Sequence, residues 1–138
     1  MPRTSAVHSS VHRIRFSDLD PYKHMRTAMY GAYYVDHRMS ALREQAGWDL
    51  KTLESLPFMT FVKRLDIEFL RPVVGDQEIR ITSCVDRFDG PDAIIECTMA
   101  DEKGRASSRC HMVVSYVDRG TGRSADWPAA VADLFFTS

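Results

Sequence analysis

Between Phe16 and Tyr30 the chain reads FSDLDPYKHMRTAMY, placing Asp18, Asp20, His24 and Arg26 within nine residues. A carboxylate can attack an electrophilic carbonyl or draw a proton from water, and an imidazole can orient that carboxylate or donate to a substrate. Pro21 pins the stretch as a turn, and a helical pattern follows it at once. The first turn of a helix carries unpaired N–H groups and the positive end of its dipole, so amides near Met25, Arg26, Thr27 and Ala28 are placed to polarise a carbonyl. The same residue types also cap turns, which leaves two readings of the cluster, an active site or capping chemistry. Asp18 is expected to be structural.

Other residues extend the candidate set. On a helical wheel Asp36 flanks the apolar Val35 and Met39 on the side shared with Met29 and Arg43. It is a second candidate acid, with solvation or pairing to Ser40 or Arg43 as the alternative. Tyr30, Tyr33 and Tyr34 form an aromatic face that packs first and can also line a pocket. His37 and His111 are expected as satisfied, partly buried histidines. Cys84, Cys97 and Cys110 form no CxxC pair and lie in strand-like runs, which predicts reduced core thiols. Cys110 and His111 are adjacent on a predicted strand and point to opposite faces, so no metal site is expected.

The elements that must position these groups follow from periodicity. Val11 to Phe16 is predicted as the first strand and Ser17 to Arg26 as a turn. Thr27 or Ala28 to Ala46 is the one long helix, stopped by Gly47, with a stripe of Val35, Met39, Leu42 and Ala46 and a second apolar face of Tyr30, Tyr33, Tyr34, His37 and Ala41. A helix apolar on two sides is expected to be enclosed. After the connector WDLKTLESLP, strands are predicted over Phe58 to Leu70, Glu78 to Phe88, Ala93 to Ala100 and Arg105 to Asp118. They are divided by PVVGDQ, DGPD and DEKG, links short enough for antiparallel order. Arg119 to Ser124 is expected to be mobile and Trp127 to Phe136 to form a short helix. The class is α+β, one helix against one sheet.

Composition narrows the functions. A chain of 138 residues fits a single domain over 1–138, with about 119–138 as a C-terminal tail. A net charge of −1 gives no electrostatic reason to expect nucleic acid or an anionic membrane as partner. No stretch approaches the roughly 20 apolar residues that span a bilayer, and the N-terminus carries no apolar signal run, so a cytoplasmic location is expected.

The ordered motifs resemble those of the hotdog-fold acyl-CoA thioesterases of the 4-hydroxybenzoyl-CoA thioesterase type. In that family a strand ends in D-x-D, G-H-V-N-N or a variant follows, and a Tyr-rich helix carries an acid and an Arg. Here the series is Asp18-Leu19-Asp20, Lys23 to Thr27, then Tyr30, Tyr34, Asp36 and Arg38. A second stretch, FLRPVVGD from Phe69 to Asp76, is similar to the family's R-P-x-x-x-G-D. Lys23 stands where the family often has Gly, and Arg26 and Thr27 replace the common Asn-Asn. The resemblance implies a hotdog fold, one long helix wrapped by a curved antiparallel sheet of about five strands. It also implies hydrolysis of an acyl thioester to a free acid and coenzyme A without metal or redox cofactor.

By the same resemblance Asp20 is the loop acid that attacks the carbonyl or activates water, and Asp36 is a rival carboxylate. Met25, Arg26, Thr27, Tyr30 and Tyr34 are substrate-binding candidates, and Lys63, Arg64 and Arg71 are cations for the phosphates of coenzyme A. The active site of this family lies between two protomers, which implies a homodimer or homotetramer. Two rivals share the fold: a hotdog hydratase or dehydratase, and an acyl-CoA or acyl-carrier-protein binding module without hydrolysis. Fold alone does not separate them.

Overall fold

The structure is a computed structural model and describes residues 3–137. A short strand β1 (Thr4–Ser5) leads into β2 (His8–Arg13), and 3₁₀ turns at Phe16–Asp18 and Thr27–Met29 flank the acidic loop. The helices α1 (Tyr30–Ala46) and α2 (Leu50–Ser55) follow, and then the strands β3 (Phe58–Phe69), β4 (Glu78–Asp89), β5 (Asp92–Ala100) and β6 (Ala106–Asp118). The chain closes with α3 (Ala129–Ala132), a 3₁₀ turn over Asp133–Phe135 and β7 (Phe136–Thr137). Five strands form one sheet in the order β2-β4-β5-β6-β3, all neighbours antiparallel, with α1 packed on one face. This is the expected α+β layout.

The alternation along β4 puts Ile79, Ile81, Ser83 and Val85 on the inner face, each no more than 3% exposed. Ile79, Ile81 and Val85 share the core with Tyr30 and Tyr34 of α1. Gly47 ends the helix as expected. At φ 72° it is left-handed, and Trp48 N–H donates to the Leu42 carbonyl at 3.1 Å, closing the last turn.

Several expectations need correction. The first strand of the five-stranded sheet, β2, is His8–Arg13 rather than Val11 to Phe16, because Ile14 donates its amide to Gln77 and the chain then turns. The connector contains a helix, α2, capped by the Asp49 carboxylate accepting from Thr52 N–H at 2.8 Å. Of the two apolar faces of α1 the tyrosine face is fully buried; on the other, Leu42 and Ala46 pack against the core while Val35 is 41% exposed, so that stripe is only partly covered within a protomer. The segment Arg119 to Ser124 is tied down. Asp118 caps it at Thr121 N–H, and the Arg119 guanidinium donates to the carbonyls of Leu56 and Leu53. Trp127 to Phe136 contains a single α-turn followed by a 3₁₀ turn, and Phe136 begins the strand paired with β1.

Candidate active site

The acidic loop is built around Asp18. Its carboxylate is 3% exposed and accepts from the Tyr33 hydroxyl at 2.7 Å and from Arg15 Nε at 3.0 Å, while its carbonyl accepts from Arg26 N–H. Burial works to raise its pKa, but the Tyr33 and Arg15 bonds outweigh that and hold it below the usual carboxylate range. Asp18 is thus a buried anchor between loop and helix.

Asp20 sits differently. Its Oδ1 accepts from Tyr22 N–H at 2.8 Å and His24 N–H at 3.1 Å, a tight turn of the side chain onto its own loop. Its Oδ2 has no hydrogen-bond partner among the described residues. Lys23, within this turn, has φ 63°, the left-handed conformation a glycine adopts without strain. Lys23 therefore occupies a backbone position suited to glycine.

The two sequence motifs meet here. Met25 N–H donates to the Val73 carbonyl at 2.7 Å, Gly75 N–H donates to the Lys23 carbonyl at 3.1 Å, and His24 bridges Val74 as in an antiparallel pair. A Cβ at Gly75 would lie 2.7 Å from Cδ1 of Leu19, so a larger residue there would have to displace that side chain. Between the loop, the start of α1 and the end of β3 opens a cleft of about 340 Å³ lined by Asp20, His24, Met25, Thr27, Tyr30 and Arg71, with Phe69, Leu70 and Pro72 closing the far wall. Tyr30 meets Phe69 edge-on at 4.8 Å between ring centroids.

Of the amides expected to polarise a carbonyl, those of Met25 and Arg26 are already bonded to Val73 and Asp18, which leaves Thr27 and Ala28 at the open end of the 3₁₀ turn. Phe69, Leu70 and Pro72 were not singled out from sequence, although the FLRPVVGD motif containing them was. The rest of the predicted set lies elsewhere. Arg26 is exposed and donates to the Ser17 carbonyl. Tyr34 is fully buried with its hydroxyl on Ser108 at 2.8 Å.

Lys63 pairs with Asp92 at 3.1 Å and Arg64 with Asp66 at 3.7 Å on exposed parts of β3. Asp36 is exposed on α1, beside His12, whose pKa is lowered by burial and partly restored by the Asp36 charge. Asp20 and Asp36 do not share the cleft within one protomer.

His37 is fully buried, with Nδ1 on Ser10 Oγ at 2.6 Å and Nε2 on Ser83 Oγ at 2.6 Å. Burial, reinforced by the neighbouring Arg38 charge, lowers its pKa to about 3. His111 lies on the outer face of the sheet against Glu96. Cys97 and Cys110 face each other across β5 and β6 in the core as free thiols, and Cys84 is half-buried. No group of metal-ligating residues and no helix long and apolar enough to cross a membrane occurs among the described residues.

The pattern of thioesterase-like superfamily proteins matches this chain over residues 14–135, and the chain belongs to that superfamily. A Staphylococcus aureus protein solved in complex with CoA is similar in fold at a TM-score of 0.84 and 18% identity, covering 95% of this chain and 82% of that one. A Thermus thermophilus thioesterase complexed with coenzyme A and Zn aligns at 0.78 and 20% identity, covering 92% and 90%. The probable thioesterase YbaW of Escherichia coli aligns at 0.80 and 18% identity, covering 91% and 94%. No curated protein matches significantly.

Proposed function

We propose that this chain hydrolyses an acyl-CoA thioester to a free acid and coenzyme A, using Asp20 as the reacting carboxylate. The observation that carries the reading is the meeting of both family motifs on one cleft. Asp20, with one carboxylate oxygen unpartnered, lies there beside the open amides that begin the helix. In this mechanism Asp20 draws a proton from water or attacks the carbonyl carbon itself. The Thr27 and Ala28 amides receive the oxyanion, and collapse of the tetrahedral species breaks the C–S bond. The departing thiolate takes the proton that Asp20 drew from water. Where Asp20 itself attacked, water then hydrolyses the acyl-aspartyl anhydride to the free acid and supplies that proton. His24 is placed to orient Asp20 or to donate to the substrate. Arg71 at the cleft wall is the best placed of the three candidate cations for a coenzyme A phosphate. No metal or redox cofactor enters this scheme.

The unit that works is proposed to be a dimer at least. As the edge strand of the sheet, β3 exposes Val62, Leu65 and Phe69 on the helix side and Phe61 on the other face at 39–50%, apolar surface that a second copy would cover. Two protomers paired there also offer a route for Asp36 of one to approach the cleft of the other.

Thiol release from a panel of acyl-CoAs tests the reading. Turnover on at least one member is expected. Tight binding of acyl-CoA without thiol release would favour a binding module, and conversion of an enoyl thioester without thiol release would favour a hydratase.

A further inference from the structure

Between α1 and the strands β2 and β4 runs a series of polar contacts that the cleft does not use. Arg38 Nη1 donates to Ser83 Oγ at 2.9 Å, and Ser83 Oγ meets His37 Nε2 at 2.6 Å. His37 Nδ1 meets Ser10 Oγ at 2.6 Å, and Ser10 Oγ meets His12 Nε2 at 2.7 Å. Arginine is only ever a donor, so its bond fixes the direction of the rest. Ser83 is 3% exposed and accepts from Arg38, and among the described residues its own proton has one acceptor, His37 Nε2. Neutral His37 then carries its proton on Nδ1 and donates to Ser10, and Ser10 donates to His12 Nε2. The opposite direction would leave the Ser83 proton buried without an acceptor, so the order is one-way.

That order closes Nε2 of His12 to a further proton. His12 is half-buried with its ring edge-on to Tyr33 at 5.9 Å between centroids, and the charge of Asp36 on α1 favours its protonated form. Tyr33 in turn donates its hydroxyl to the Asp18 carboxylate that anchors the acidic loop. The other charged and titratable groups here have partners of their own. His8 meets Ser40 at 3.0 Å and Glu44 at 3.2 Å, Arg13 pairs with Glu78 of β4 at 2.9 Å and Arg15 with Asp18 at 3.0 Å, while the residue of β4 opposite His12 is Ile79. A proton arriving at His12 therefore has two routes, reversal of the whole series or departure of the ring from Ser10. Reversal orphans the Ser83 proton, whereas departure is open to a half-buried ring. We propose that His12 is a pH-sensitive latch on the acidic loop. Neutral, it is held by Ser10 and steadies Tyr33; protonated, it leaves Ser10 for the Asp36 carboxylate and slackens the hold of Tyr33 on Asp18. The latch concerns the position of the loop and does not rest on the proposed hydrolysis.

NMR of the isotope-labelled full chain between pH 7.5 and 5.5 tests it. At the upper pH both His12 and His37 are expected as the Nδ1–H tautomer, and His12 is expected to titrate with a midpoint below 6.5. Ser83→Ala removes the proton that reversal would orphan, so the His12 midpoint is expected to rise by about one pH unit. Asp36→Asn removes the destination of the cation and is expected to lower the midpoint by about half a unit. Asp36 is exposed on α1, so this second variant keeps the test decisive if Ser83→Ala does not fold. The Arg26 amide, which donates to the Asp18 carbonyl at 2.8 Å, reports on the loop. From pH 7.5 to 5.5 its protection against hydrogen exchange is expected to fall at least about 5-fold further in the parent than in His12→Gln, whose side-chain oxygen still accepts from Ser10. A neutral His12 protonated on Nε2, a midpoint that either Ser83→Ala or Asp36→Asn leaves unmoved, or an equal fall in the parent and His12→Gln would each overturn the proposal.

Discussion

Met25 N–H donates to the carbonyl of Val73 at 2.7 Å, and this bond joins two motifs that lie almost fifty residues apart in the chain. With the Gly75 to Lys23 bond beside it, it makes the end of the acidic loop and the turn after β3 into a short two-stranded clasp. The clasp fixes where the first turn of α1 begins, and therefore where its open amides point. The cleft is thus a product of the pairing between two loops, held at one edge of the sheet and at one end of the helix.

Lys23 bears the strain of that clasp. At φ 63° a side chain with a Cβ costs about 1–2 kcal/mol relative to glycine, partly offset by glycine's greater freedom when unfolded. Lys23→Gly is therefore expected to raise Tm by roughly 2–4 °C in thermal unfolding followed by circular dichroism. A fall in Tm would mean that the lysine side chain makes a contact worth more than the strain.

His37 makes stability depend on pH. Its folded pKa of about 3 lies well below the ordinary value of 6.5, so the folded state keeps it neutral while the unfolded chain protonates. Its contribution is full above about pH 6.5 and is lost as pH falls from there toward 3, at about 1.4 kcal/mol per pH unit. At pH 5 the expected loss is about 2 kcal/mol relative to pH 7. His37→Gln should be less stable than the parent at pH 7, because the bonds to Ser10 and Ser83 change, yet lose less on acidification. Urea denaturation at pH 7, 6 and 5 measures this, and parallel lines for the two proteins would remove His37 as the cause.

Assembly along β3 is open to a direct challenge. Phe61 and Val62 are 50% and 40% exposed, so changing both to lysine should leave protomer folding nearly intact while placing two charges on the edge. Light scattering is expected to give at least twice 15.7 kDa for the parent and the single-protomer mass for the double variant, with turnover lost in parallel. A parent that is monomeric at micromolar concentration and fully active would end the proposal of a shared site.

Legibility in the sequence varied with the physics of each element. The alternation of β4 and the Gly47 stop were readable because each is a local rule, a period of two and a left-handed cap. Strand β2 was misplaced because its inward residues are His8, Ser10 and His12, polar groups that become core only by bonding to Ser40, His37 and one another. The choice between the two faces of α1 was hidden for a similar reason. Val35 and Tyr34 are both apolar, and only the position of the sheet decides that Tyr34 is buried. Nothing in the spacing announced that Arg38 would be buried, since charge at a helical position ordinarily signals solvent. The loop acids and FLRPVVGD were legible as separate motifs, whereas their contact is a tertiary fact.

The separation of Asp20 from Asp36 provides the most direct test of the chemistry. Asp20 lines the cleft and uses only Oδ1 for the turn, so Asp20→Asn preserves that acceptor for the Tyr22 and His24 amides while removing the charge. If Asp20 is the base or nucleophile, kcat on the best acyl-CoA should fall by at least ~10²-fold, with Tm and oligomeric mass unchanged. Asp36 is exposed on α1 outside its own protomer's cleft, so Asp36→Asn should cost less. An inverted order, with Asp36→Asn the more damaging, would transfer the chemistry to the helix acid acting across the dimer and leave Asp20 as the residue that shapes the loop. Near parental turnover in both variants would reduce FSDLDPYKHMRTAMY to capping and binding chemistry.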